Sequence, residues 1–151
     1  MTEEILAQAI QKENEAKEFY TQVSAKIIAK NAKKAIEKLA KDEAAHVSIL
    51  SRRYNRLFNK DFTPAFEGFS DKHKIAEAQV YDMNTSLQIV SLGIGMEDES
   101  ILFYADQYEK TADPEERKML KRLAQFERGH KKKLQHQHAR LKKGYSWNAR
   151  G

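Results

Sequence analysis

The sequence predicts an all-α fold, a four-helix bundle built from two repeated helical hairpins joined by a long crossover. Three observations carry the prediction. Four long stretches place an apolar residue every three or four positions among Ala, Glu, Lys, Leu and Gln, the residues that favour helix. Only 6 Gly and 2 Pro break up 151 residues, which suits one domain over residues 1–151. The chain also aligns with itself, without a gap, at an offset of 84 residues.

The first helix is expected over about residues 3–30 from its apolar period. The second, over about 32–57, follows Asn31 as an N-cap and carries Ile36, Leu39, Ala40, Ile49 and Leu50. The third begins near Thr85 or Ser86 and covers about 86–111. Asp113, Pro114 and Glu116 make a capping-box arrangement that opens the fourth, about 114–142, which should stop before Gly144 and leave a basic tail over 143–151. Residues 58–85 are too many for a turn between adjacent antiparallel helices, so they are a crossover. Its Phe58, Phe62, Phe66 and Phe69 are expected to pack on the bundle edge rather than to form a lid.

The repeat aligns residues 9–50 with 93–134 and gives 12 identities in 42 positions. Each half reads Glu-x6-Tyr on its first helix, Glu13 with Tyr20 and Glu97 with Tyr104. Each reads Glu-x2-His on its second, Glu43 with His46 and Glu127 with His130. Seven residues are about two helical turns and three are just under one, so each pair shares a face. That face is the apolar one: Ile36, Leu39 and Leu50 share the stripe of Glu43, and Leu120, Leu123 and Leu134 that of Glu127. Four uncompensated carboxylates in a core would each cost several kcal/mol, enough to consume a stability of ~5–15 kcal/mol. Two divalent cations compensate them. Four carboxylates and two imidazoles form a donor set for two iron or manganese ions, with zinc as a further candidate. Glu15 and Glu99 fall off the stripe, and His73, His136 and His138 are expected at the surface.

Other chemistries are excluded or disfavoured. Cysteine is absent, which removes disulfides, iron–sulfur clusters and thiol nucleophiles. No apolar run approaches the roughly 20 residues that span a bilayer, and the chain opens on the acidic Glu3 and Glu4, so no membrane partner and a cytoplasmic location are expected. The formal net charge is +5, and from Arg117 to Gly151 12 Lys or Arg face one acid, Glu127. Aromatic residues are sparse there, with Tyr145 and Trp147 after the last helix, so a solvated basic face is preferred to a nucleic-acid site.

Over about residues 3–141 these motifs resemble the rubrerythrin-like branch of the ferritin-like superfamily. The resemblance lies in Ile10, Glu13, Phe19 and Tyr20, in Glu43 and His46, in Ile94, Glu97, Phe103 and Tyr104, and in Glu127 and His130. It implies a ferritin-like bundle whose dinuclear non-haem site is bridged by Glu43 and Glu127. Glu13 and Glu97 would be terminal ligands, with His46 and His130 on one ion each and Tyr20 and Tyr104 hydrogen-bonding the carboxylates. Rubrerythrins with a cysteine-ligated rubredoxin domain pass electrons within one chain. Here the donor would be a separate, rubredoxin-like protein. Typical members also carry an extra Glu three residues after the third-helix ligand, where this chain has Ser100. The set of four Glu and two His therefore also resembles ferroxidase centres.

The leading expectation is a diiron oxidoreductase that reduces hydrogen peroxide or dioxygen with electrons from an external donor. A second is a ferroxidase or iron-buffering protein with no organic substrate. A third is a basic ferritin-like interaction module. A homodimer is compatible with all three.

Overall fold

The computed structural model describes residues 1–78 and 81–150, without the side chains of Asp71 and residues 145–150. Four long helices run in the order α1 (Glu3–Ser24), α2 (Lys30–Phe58), α3 (Met83–Lys110) and α4 (Pro114–Arg150), with a short 3-10 helix, Asp71–Glu77, in the crossover. α1 packs chiefly on α2 and α3 chiefly on α4, which makes the two expected hairpins of an all-α ferritin-like bundle. No helix among the described residues is long and apolar enough to cross a membrane.

The helix ends depart from expectation for local reasons. α1 stops at Ser24 rather than near residue 30, because Ile27 turns inward and is buried. α2 then starts at Lys30 after Ala29, which offers no side-chain cap, so Asn31 lies inside the first turn and is not the N-cap. α3 starts at Met83, ahead of Thr85 and Ser86. Asp82 caps it by accepting the Thr85 N–H at 2.7 Å, and Ser86 is buried instead of capping. At α4, Asp113 accepts the Glu115 N–H at 2.9 Å as expected. Glu116 does not close the capping box: it is buried and holds the N-terminal ammonium of Met1 and the Thr111 hydroxyl. Gly144 does not end α4 either. Its backbone stays helical, and the helix continues to Arg150 through what was expected to be a basic tail; Gly151 and the Tyr145 and Trp147 side chains lie outside the description.

The crossover phenylalanines line the bundle edge. Phe58 and Phe62 pack on Tyr54 at ring separations of 5.2 and 5.6 Å, and Phe69 packs on Phe66 and Phe19 at 5.3 and 5.9 Å. The core is divided in two along the bundle. One apolar cluster gathers Phe19, Val23, Ile36, Leu39, Ile89 and Leu134; the other gathers Leu6, Ile10, Leu50, Tyr54, Leu120 and Leu123. The acidic residues and histidines of the repeat make the layer between them.

α1 and α3 approach closely at Gly93. A Cβ there would stand 3.2 Å from Leu134 Cδ1 and 3.3 Å from Tyr20 Cε1, both in buried side chains, whereas one at Gly129 would meet nothing within 4 Å. Gly93→Ala should therefore lower stability by about 1 kcal/mol, overpacking outweighing the gain in helix propensity. Gly129→Ala should raise it by up to about 1 kcal/mol. Urea midpoints of the two variants, moving in opposite directions from the parent, check the expectation.

Candidate metal centre

Each helix contributes one acidic position to the layer: Glu13 from α1, Glu43 from α2, Glu97 from α3 and Glu127 from α4, all buried. His46 and His130, one turn beyond Glu43 and Glu127, are buried with them. All six expected ligands therefore meet in one place, while Glu15 and Glu99 are exposed. His136 is also exposed and His138 half-buried, away from the layer. His73 is half-buried rather than at the surface, with its ring 5.8 Å from Phe19 and its Nδ1 3.0 Å from the Ser70 hydroxyl.

The two tyrosines bind across the hairpins. Tyr20 on α1 donates to Glu97 Oε1 on α3 at 2.5 Å, and Tyr104 on α3 donates to Glu13 Oε1 on α1. Burial first, and then the charge of the facing carboxylate, Glu97 or Glu13, raises both phenols well above their ordinary value. They stay protonated and serve as fixed donors.

The histidines present Nδ1 to the carboxylates. His46 Nδ1 lies 3.4 Å from Glu13 Oε2, 3.4 Å from Glu43 Oε2 and 3.6 Å from Glu127 Oε1. His130 Nδ1 lies 2.9 Å from Glu43 Oε1, 3.4 Å from Glu127 Oε2 and 3.6 Å from Glu97 Oε1. Burial alone would lower both imidazoles, but hydrogen bonds to the carboxylates, Glu127 foremost, outweigh it and push each up to about 12. Burial, and then the charge of Glu13, pushes Glu43 up to about 7; burial also lifts Glu97, to about 8. Glu13 goes the other way. Burial opposes the shift, but hydrogen bonds from Glu43 and His46 hold its carboxyl well below the usual range. Without a metal, protons carry the compensating charge.

That compensation is incomplete. Glu43 Oε2, Glu97 Oε2 and Glu127 Oε1 are buried without a hydrogen-bond partner among the described residues, an expensive arrangement unless something else fills the space between them. Two overlapping quartets can each hold a cation: Glu13, Glu43, His46 and Glu127, and Glu43, Glu97, Glu127 and His130. Within each, the donor atoms lie within 4.8 Å of one another. Glu43 and Glu127 belong to both. A pair of hard cations sharing those two carboxylates fits the residues present.

The rubrerythrin family model matches residues 4–137. The chain belongs to the rubrerythrin family. The chain is similar in fold to a hypothetical protein from Pyrococcus furiosus, at 24% identity over 92% of this chain and 89% of that one, with a TM-score of 0.78. It also resembles CopM in its Ag-bound form, at 13% identity over 91% of this chain and 95% of that one and a TM-score of 0.71. CopM in its Cu(I)-bound form gives 13% identity over 93% and 97%, with the same TM-score of 0.71. No curated protein matches the chain.

One residue of the site is absent from the sequence reading. Asp42 Oδ2 accepts from His130 Nε2 at 3.2 Å and pairs with Lys38 at 2.6 Å. The equivalent position in the other half of the repeat is Phe126, whose ring lies 5.1 Å from that of His46. One histidine is thus oriented by a carboxylate and the other by an aromatic ring. The signal was the mismatch of Asp42 with Phe126 beside two matched ligands.

The proton inventory sets a pH dependence. Glu43 and Glu97 keep protons up to about 7 and about 8 in the folded chain, against 4.5 when unfolded. His46 and His130 act in the same sense above 6.5. Glu13 has the opposite sense, but only below 4.5. Between these values the folded state binds more protons, so stability falls as pH rises. A chelator-treated sample should melt at a lower temperature at about pH 8.5 than at about pH 5.5 in calorimetry. A flat or rising profile would contradict the shared-proton description.

Proposed function

We propose that this chain holds two iron ions between Glu13, Glu43, His46, Glu97, Glu127 and His130 and is a redox protein that reduces hydrogen peroxide or dioxygen. The observation that carries the reading is the pair of overlapping quartets, each with three carboxylates and one imidazole, that share Glu43 and Glu127. Two divalent ions match the four carboxylate charges. Oxygen-rich donors with imidazole favour Fe(II) or Mn(II) over the soft silver and copper(I) ions of the CopM forms, and iron is the metal that adds redox chemistry. When bound, the pair supplies the two electrons that reduce a small oxidant.

The protein's part is to orient, to shield and to hold protons. The Tyr20 hydroxyl fixes Glu97 and the Tyr104 hydroxyl fixes Glu13, each from the opposite hairpin. Asp42 fixes the His130 ring with Nδ1 turned inward. The apolar clusters cover the layer on its two sides along the bundle. The reading takes the electrons from a rubredoxin-like donor, because these 151 residues hold no cysteine to ligate such a centre. Ser100 in place of the extra carboxylate of typical rubrerythrins, together with the balanced quartets, also supports a ferroxidase reading of the same centre.

Anaerobic loading with Fe(II), followed by separate stopped-flow mixing with peroxide and with dioxygen, tests the proposal. Oxidation much faster with peroxide supports the peroxidase reading, and comparable rates with retained ferric mineral support the ferroxidase one. No oxidation by either would defeat both.

Metal content tests the ligand assignment without turnover. The purified chain should hold close to two ions; Glu43→Ala or Glu127→Ala should lose more metal than Glu15→Ala or Glu99→Ala, as read by plasma emission. The asymmetry behind the histidines predicts two unequal affinities. Asp42→Asn should weaken the His130 site by roughly tenfold or more, while Phe126→Asp should strengthen the His46 site. Competitive chelator titration measures both, and equal affinities untouched by either substitution would remove Asp42 from the site.

A further inference from the structure

Beside the metal layer, α2 and α4 do not close on one another but leave a groove of about 910 Å3, within the range of small-molecule sites. His46 and His130 lie in its floor. The His46 ring meets Phe126 and the His130 ring meets Asp42, so the two helices run antiparallel here. Arg53, Lys118 and Arg122 consequently gather at one end. Arg53 stands seven residues, or about 10 Å, along α2 from His46.

Two properties of the groove call for a ligand with two parts. Its walls expose Ile49 from α2 and Phe126 from α4, which are 52% and 50% accessible, and include Met119 and Leu123. Single exposed apolar residues are ordinary, but two sharing one groove form a patch of the kind that marks a binding site. At the cationic end, Arg53, Lys118 and Arg122 have no ion-pair partner among the described residues, and Arg53 Nε is buried without a hydrogen-bond acceptor. The only acid lining that end is Glu115. The opposite end is different, because Asp42 pairs with Lys38 there and leaves Lys133 as its unpaired cation. An anionic head is drawn to the arginines and an apolar tail to Ile49 and Phe126.

We infer that the groove binds a medium- to long-chain carboxylate, its head on Arg53 and Arg122 and its acyl chain laid over Ile49 and Phe126 towards His46. Arginine suits a planar two-oxygen anion. A second copy of the chain fits less well. Five cations and two acids line the groove, so a two-fold contact would set two like-charged faces together. The inference goes beyond the redox reading and does not depend on metal.

Calorimetric titration of the purified full chain with decanoate tests it, with decanol as the uncharged control and no turnover measured. One decanoate should bind per chain, at least tenfold more tightly than decanol, and more weakly as salt rises. Arg53→Gln combined with Arg122→Gln should weaken decanoate at least tenfold, and Lys38→Gln should change it less than twofold. Phe126→Glu, also on an exposed position, should abolish binding while thermal melting reports an intact fold. Absence of saturable binding, or binding indifferent to the arginine pair, would overturn the inference. So would a concentration-dependent dimer in sedimentation that Phe126→Glu dissolves, since the groove would then belong to a second copy. Failure of the metal titrations would leave this result unaffected.

Discussion

Four carboxylates buried in one layer of a helical bundle constrain everything else in this protein. In a core, each would cost several kcal/mol if left uncompensated. The surroundings answer in three ways. Tyr20 and Tyr104 donate hydrogen bonds to two of the four, His46 and His130 bring exchangeable positive charge, and apolar clusters above and below hold the groups at close range. What the described residues do not supply is a hydrogen bond to Glu43 Oε2, Glu97 Oε2 or Glu127 Oε1. A layer satisfied by its own hydrogen bonds would be a structural device. A layer that leaves three buried oxygens without a hydrogen bond among the described residues can take cations between them.

The near two-fold repeat explains the balance of that layer, and its breaks explain where the two halves can differ. Ligands and tyrosines match pair by pair, so each half-site receives one imidazole and the same carboxylate types. The residues behind the ligands have diverged. Asp42 ties the His130 ring to Lys38 through a carboxylate whose own pKa is lowered; burial opposes that shift, and Lys38 first and His130 second outweigh it. Phe126, in the matching place, opens the His46 side to an apolar groove instead. Divergence behind the matched residues would separate the properties of two bound ions without altering the groups that hold them.

The bundle and the meeting of its four buried acids and two imidazoles were legible in the sequence because burying acids on an apolar stripe is too costly to occur by chance, and the repeat states the pattern twice. The helix ends were less legible, since packing decided them. Ile27 is buried at the price of ending α1 at Ser24, although the local sequence would continue the helix. Asn31 and Gly144 are good capping residues that the chain does not use as caps, and Glu116 left its capping box for the N-terminus of Met1, 115 residues away in sequence. Asp42 was unreadable for a related reason. One carboxylate on a charged helix looks like surface until the His130 ring is placed against it.

The layer also governs how the hairpins hold together. Packing within each hairpin is extensive, whereas α1 meets α3, and α2 meets α4, over much less surface. The polar ties across that seam are concentrated in the site: Tyr20 to Glu97, Tyr104 to Glu13, His46 to Glu127, and His130 to Glu43 and Asp42. Each hairpin alone carries two of the acids and one imidazole, and neither quartet is complete without a residue from the other. Cations held there would bind the docked hairpins and not the separated ones, so their binding energy adds to the stability of the docked state. Assembly of the centre and closure of the bundle are one equilibrium, and the open α2–α4 groove runs along one of the two seams that this closure brings together.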